Sequence, residues 1–150
     1  MADNDIPPEF NKGILYRRDN NSKTTKEYHK GDRFGKGGFA ICYKVYSKES
    51  KKIFMLKEIE YNDAAVKEAK IHISLDNNNI VKLYDYFTDE KEGKLYLLLE
   101  FCENRDLSDI LKKRIRLTEI EVQYYIYNFI KALKYLHEEK NIVHCDLKPG

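Results

Sequence analysis

The spacing of apolar and polar residues changes character along this 150-residue chain, and the changes divide it. Residues 28–61 have the texture of strands. Phe39-Ala-Ile-Cys-Tyr-Lys-Val-Tyr46 is aromatic and β-branched, Ser47-Lys-Glu-Ser-Lys51 reads as a turn, and Lys52-Ile-Phe-Met-Leu-Lys-Glu-Ile59 reads as the next strand. Residues 63–75 carry Ala65, Val66, Ala69 and Ile73 at helical spacing, and Asp76-Asn-Asn-Asn79 is a polar stop. Two further strands are predicted near residues 81–87 and 94–101, separated by the charged turn Asp89-Glu-Lys-Glu-Gly93. Beyond Glu103 the pattern turns helical. Thr118-Glu-Ile-Glu121 is a capping-box sequence, and Val122, Ile126, Phe129, Leu133 and Leu136 continue it as an amphipathic helix of about five turns. The order predicts an α+β fold: a β-rich unit with one helix, a linker near residues 102–106, and the start of a helical unit.

The N-terminal part is less patterned. Residues 1 to about 12 read as a loose arm, Ile14-Leu-Tyr16 as a short strand, and residues 17–26 as a polar stretch. No apolar stretch near the start resembles a signal-peptide core. The longest strongly apolar run, Leu95 to Leu99, is far below the ~20 residues of a membrane span. With 42% hydrophobic and 35% charged residues, the chain is neither a disordered tail nor a membrane protein. Its 27 Lys and Arg nearly balance 25 Asp and Glu, which leaves no broad cationic field for nucleic acid. Cys42, Cys102 and Cys145 are scattered and odd in number, so they read as free thiols in a reducing compartment rather than a zinc site. An intracellular protein, cytoplasmic or nuclear, is expected.

Gly35-Lys-Gly37-Gly38-Phe39-Ala40 is the first chemical signal. Glycines so spaced let the backbone approach phosphate oxygens without a Cβ in the way. The same residues fit a dinucleotide-binding fingerprint, but that fold needs a helix opening at the loop, and a strand follows here. A glycine-rich hairpin turn without a ligand is the plainer reading of the loop alone. Lys57 sits in an apolar strand, where a snorkelling edge charge is the commoner role, and Glu68 on the following helix is a candidate partner. The order of the three features carries more than any one of them.

Ile142-Val-His144-Cys145-Asp146-Leu147-Lys148-Pro149-Gly150 ends the chain, and with it the chain resembles a eukaryotic Ser/Thr protein kinase, whose catalytic loop reads H-R-D-L-K-P-x-N. The glycine loop with Cys42-Tyr43, and Glu68-Ala-Lys-Ile-His-Ile-Ser-Leu-Asp76, are most similar to the polo-like kinases. The resemblance implies a kinase-like fold with a complete N-lobe, an antiparallel sheet plus C-helix, and only the first helices of the C-lobe. The implied division is an arm over 1–27, an N-lobe over 28–102 and a partial C-lobe over 103–150.

By that resemblance ATP and Mg2+ are the cofactors and a protein Ser or Thr hydroxyl is the substrate, with no nucleic-acid or membrane partner expected. Asp146 is the implied catalytic base and Lys148 its partner. Phe34 and Cys42 are implied to cover the adenine, with Gly35, Lys36, Gly37, Gly38, Phe39 and Ala40 along the phosphates. Lys57 is implied to hold the α- and β-phosphates and pair with Glu68. Leu99 is the implied gatekeeper, Glu100 and Cys102 the implied hinge groups, and Asp106 the implied ribose contact.

The chain departs from the family pattern at several positions. Ala40 replaces a glycine, Met55 stands where a small residue is usual beneath the adenine, and Glu68 follows Lys57 by only eleven residues. Cys145 replaces the arginine that docks a phosphorylated activation loop, which predicts weaker control by that phosphate. No metal ligand is implied within the 150 residues, since the metal-binding Asn and D-F-G aspartate are expected beyond residue 150. The polypeptide as given is therefore expected to be inactive alone and to expose apolar surface on the Thr118–Glu138 helix. The competing reading is a non-catalytic kinase-like module that binds nucleotide or scaffolds partners.

Overall fold

The computed structural model describes residues 6–18, 25–36 and 40–148, without the side chains of Arg18 and Lys36. Of the residues singled out above, Gly37, Gly38, Phe39, Pro149 and Gly150 lie outside the described set. Two compact units are present, one made of Met1–Leu75 with Lys82–Phe101, the other of Asp76–Val81 with Cys102–Gly150.

The first unit is a six-stranded antiparallel sheet and one helix. The strands are β1 (Ile14–Arg18), β2 (Thr25–Lys36), β3 (Ala40–Ser47), β4 (Lys52–Glu60), β5 (Leu83–Asp89) and β6 (Lys94–Glu100), in the spatial order β1-β2-β3-β4-β6-β5. Alternation along the strands sorts side chains onto two faces. On one face Tyr28, Val45, Leu56, Tyr96 and Leu98 are buried together, with Leu15, Tyr43, Phe54 and Phe87 packed against them. On the other, Leu83, Leu95 and Leu97 meet helix α1 (Asp63–His72) through Ala65, Val66 and Ala69. The helix starts at Asn62, whose side chain accepts from the Ala65 N–H at 2.8 Å. It ends before residue 75 because the Ser74 hydroxyl and amide both bond back to the Ile71 carbonyl.

The first face is closed by an ion pair between the two edge strands. Arg17 Nη2 on β1 donates to Asp85 Oδ1 on β5 at 3.0 Å, with Nε 2.7 Å from Oδ2 but not aligned as a donor. Both side chains are about four-fifths buried, at 20% and 18% exposure. Strands at opposite ends of the order touch, so the sheet is curled, and Phe87 lies beneath the guanidinium at 5.8 Å. Beside this pair the Tyr28 hydroxyl is pushed up to about 12, first by burial and next by the Asp85 charge.

The N-terminal segment differs from a loose arm within its described part. Phe10 is 1% exposed, its ring 5.6 Å from that of Tyr46, and its amide donates to the Pro7 carbonyl at 2.9 Å. A Cβ on Gly31 would come within 2.9 Å of Phe10 Cδ1, so glycine makes room for this ring. One large aromatic gains enough by burial to order a polar turn around it.

In the second unit, α2 (Leu107–Arg114) is followed by α3 (Glu119–Lys134) and a π-helical turn, Tyr135–Glu139. The predicted capping box is formed: Thr118 Oγ1 accepts from the Glu121 amide at 3.3 Å, and Glu121 Oε2 accepts from the Thr118 amide at 2.8 Å. Glu121 also pairs with Arg114, and that hydrogen bond, with the Thr118 bonds, holds its carboxyl down at about 2. The widened last turn buries Tyr135 and Leu136, and the Tyr135 hydroxyl oxygen accepts from the Asp76 amide at 2.9 Å. Higher on α3 the apolar stripe lies open, at Val122, Ile126 and Phe129. Among the described residues no helix is long and apolar enough to cross a membrane.

Replacing Arg17 by Met takes the guanidinium away from the Asp85 carboxylate in a largely buried setting. Stability should fall by about 1–3 kcal/mol, less than for a fully buried pair because both groups keep some water. Urea unfolding followed by circular dichroism measures it, and an unchanged midpoint would show that the edges do not depend on the pair.

Candidate functional site

Strand register builds the site in the first unit. Directly opposed residues in an antiparallel ladder point to the same face. Gly35 opposes Cys42, Cys42 opposes Lys57, and Lys57 opposes Leu97, which makes one row across four strands. The next row is Lys44, Met55, Leu99 and Leu83, and on the other side Ala40, Ile59 and Leu95 are aligned. All of these lie on the face that carries α1.

Among the described residues of this unit, two parts of that face are covered. Ala65, Val66 and Ala69 of α1 pack over Ile59, Leu83, Leu95 and Leu97, while Phe10 sits on Tyr46 at the other end of β3. The strip between them holds Gly35, Cys42, Lys44, Met55, Lys57 and Leu99. A Cβ placed on Gly35 would meet nothing within 4 Å, so the space above it is open.

Lys57 is the charged centre of the strip. Its side chain is partly buried between Cys42 and Leu97, and among the described residues no carboxylate lies within 4.0 Å of its ammonium. Glu68 stands on α1 next to the buried Ala69 but is itself exposed, and the two do not form an ion pair in this structure. The cause is local. The short connection starts α1 at Asp63, and the Ala65, Val66 and Ala69 stripe, not Glu68, faces the sheet. Among the described residues this cation lies in an apolar row without a counter-charge, and an arriving negative group would offset the water it has lost. The Cys42 thiol beside it is pushed up by burial, with the Lys57 charge pulling the other way.

Leu99 pairs with Met55 and packs at the edge of the α1-facing cluster. Glu100 faces the opposite side, opposing Phe54, and its amide donates to the Lys82 carbonyl at 2.8 Å. The backbone of Lys36 pairs with Ile41. Phe34 falls at a register shift in β2 between Arg33 and Gly35, and its ring lies 5.1 Å from that of Phe101. Phe101 and Lys44 were not among the sequence candidates. Two-residue alternation from Cys42 and from Leu99 is the signal that puts Lys44 and Phe101 on this side.

The second unit carries the remaining candidates. Cys102 precedes α2, its carbonyl accepting from the Arg105 amide at 3.2 Å. Asp106 is the N-cap of α2, with Oδ1 accepting from the Asp109 amide at 2.8 Å, so that oxygen is engaged in capping the start of the helix. After the π-turn the Ile142 amide bonds to the Leu136 carbonyl at 2.8 Å, which ties the next segment to a buried turn. There the chain bends sharply, with Cys145 at φ +62°. The Asp146 amide donates to His144 Nδ1 at 3.3 Å, and Lys148 Nζ donates to Asp146 Oδ2 at 2.7 Å. The Lys148 hydrogen bond, followed by its charge, lowers the Asp146 carboxyl below the usual aspartate range. The carboxylate is thus ionised and exposed at neutral pH, the state a proton acceptor needs. Among the described residues no three His, Cys, Asp or Glu are grouped to hold a metal ion.

The depressed value has a definite sign. The Lys148 contact favours the ionised form, and it is lost as pH falls through the lowered Asp146 pKa. Lys148→Met should move the Asp146 titration upward toward the ordinary aspartate value. A carbon-detected NMR titration reads it, and identical midpoints would refute the pairing.

Residues 28–150 match the family model described as protein kinase domain. The chain is 44% identical over 135 residues to the probable serine/threonine-protein kinase CCRP1 of Zea mays, covering 85% of this chain and 21% of that protein. It is 43% identical over 141 residues to the probable serine/threonine-protein kinase PLK of Dictyostelium discoideum, covering 89% and 14%. The inactive serine/threonine-protein kinase PLK5 of Mus musculus is 36% identical over 131 residues, covering 82% and 22%. The chain therefore spans less than a quarter of the length of these relatives.

Proposed function

The chain belongs to the protein kinase domain family, with close likeness to Ser/Thr kinases that include the polo-like ones, and on that premise we propose that it binds ATP and contributes to phosphoryl transfer onto a protein Ser or Thr hydroxyl. Lys57 carries the reading: a partly buried cation with no counter-charge among the described residues, on an uncovered strip beside open space at Gly35. In this reading Lys57 holds the α- and β-phosphates, and the glycine loop, Gly35 to Ala40, offers backbone amides to the phosphate oxygens. The apolar part of the strip, Cys42, Met55 and Leu99, takes the base. Glu100 and Cys102 offer backbone groups to its edge, and Asp106 offers its second carboxylate oxygen to the ribose.

Asp146 accepts the proton of the substrate hydroxyl as that oxygen bonds to the γ-phosphorus. The bond from the γ-phosphorus to the β–γ bridging oxygen breaks, and ADP leaves. Lys148 serves twice, keeping Asp146 ionised and placing positive charge by the transferring group. Its presence two residues after the aspartate favours Ser/Thr over Tyr as acceptor. Glu68 pairs with Lys57 only after α1 shifts or its side chain reorients, which we propose as a step that accompanies activation. Mg2+ supplies charge neutralisation on the phosphates when bound. Among the described residues no three His, Cys, Asp or Glu are grouped for it, and we assign it no ligand here. Function inside the cell, in cytoplasm or nucleus, goes with this reading.

A second reading has its own support: Lys57 and Glu68 are unpaired with each other, the long Met55 side chain stands in the row opposite Leu99, and one relative is named inactive. It makes the chain a nucleotide-binding or scaffolding module without transfer. MgATP should raise the thermal unfolding midpoint, and Lys57→Met should abolish the rise. No rise in the wild-type chain would remove the nucleotide site and leave scaffolding. The 150-residue polypeptide alone should transfer no phosphate to casein above a blank, and transfer that Asp146→Asn abolishes would overturn this.

A further inference from the structure

Three side chains on the site face belong to neither apolar cluster of the sheet. Phe34 and Phe101 meet edge to face, with centroids 5.1 Å apart and an interplanar angle of 69°, and Lys44 Nζ lies 4.8 Å from the Phe101 centroid. All three come from the first unit: Phe34 from the β2 bulge, Lys44 from β3, and Phe101 from the residue after β6. Lys44 stands one row from Lys57 on the same face, yet among the described residues no carboxylate lies within 4.0 Å of it. Its charge is directed to a ring instead.

We propose that Phe101, itself held by Lys44, braces Phe34 as the wall of the base-binding end of this strip, so that Phe101 is a positioning residue for nucleobase selection. The proposal rests on the nucleotide reading above. The register shift turns Phe34 out of the regular alternation, so its direction depends on what its ring leans against. A T-shaped aromatic contact has a preferred geometry, and a cation over one ring restricts that ring further. The Phe34 ring so held presents an apolar aromatic surface, which suits a planar base and gives nothing to a phosphate chain. The lysines divide the strip accordingly. Lys44 serves the base end through Phe101, and Lys57, one row away, serves the phosphate end.

The division predicts different losses for different parts of the ligand. Binding of ATP, adenosine and inorganic tripolyphosphate to the purified chain is compared by calorimetry. Phe101→Ala should weaken ATP and adenosine about 2- to 12-fold, the worth of one aromatic pair, and leave tripolyphosphate unchanged. Phe101→Leu, which keeps bulk without the ring, should show the same selective loss, so a folding defect in the alanine variant does not hide the result. Phe101→Tyr should restore wild-type binding. Lys44→Met should weaken adenosine and leave tripolyphosphate unchanged, and Lys44→Arg should behave as wild type.

Equal losses for adenosine and tripolyphosphate in the Phe101 variants, or no loss for adenosine, would overturn the brace while leaving nucleotide binding intact. A tripolyphosphate loss in Lys44→Met would assign Lys44 to the phosphates and overturn it equally. If the wild-type chain binds none of the three, the parent reading falls and this inference falls with it.

Discussion

Arg17 and Asp85 stand on the first and last strands of the sheet order, and their contact is what turns six strands into a curl rather than an open ribbon. An open sheet leaves two edges of unpaired backbone groups and one face to water. Here one guanidinium hydrogen bond and the charge contact beside it join the edges without a backbone ladder. Inside the curl, Tyr28, Leu56, Tyr96 and Leu98 are buried together, and that burial pushes the Tyr28 hydroxyl up. Placing the core on the inner face frees the other face for work.

That other face is shared among three tenants. Helix α1 takes one part with small residues, Ala65 and Ala69, which allow close approach. Phe10 takes another, in the room left by Gly31 and against Tyr46. The strip between them holds two cations, a thiol, two apolar side chains and an aromatic pair, all set by register rather than by sequence proximity. In the second unit the same economy appears in small. A capping box, a π-turn and an ion pair hold short segments so that Asp146 presents an ionised carboxylate at a bent loop. The kinase family membership agrees with both parts, and the geometry adds that Lys57 and Glu68 are not yet joined.

Much of this could be read along the chain. Residues 40–47, 52–60, 63–72 and 94–100 form the strands and helix their periodicity predicts, because each buries one face and exposes the other. The Thr118–Glu121 cap forms as written, since all its partners lie within one turn. The misses have physical reasons too. Phe10 looked like part of an arm because its partners, Gly31 and Tyr46, are distant in sequence and turn-like or aromatic in ways that announce nothing. Arg17 and Thr25 fall in a polar stretch, yet both are in strands, since pairing between β1 and β2 outweighs weak local preference. Lys44 and Phe101 were passed over because neither is part of a recognisable motif.

The sequence by itself determined the family, the order of the strands and helices along the chain, and the identity of the residues that carry charge at Lys57, Asp146 and Lys148. Those depend on local pattern and on motifs a few residues long. Only the tertiary structure decided that the sheet curls, that α1 presents Ala69 rather than Glu68 to it, and that Lys44 spends its charge on Phe101. Each of those is a choice among long-range partners, 68 residues apart for Arg17 and Asp85. Such choices are settled by which contacts can be buried together, and no short window of sequence contains that information.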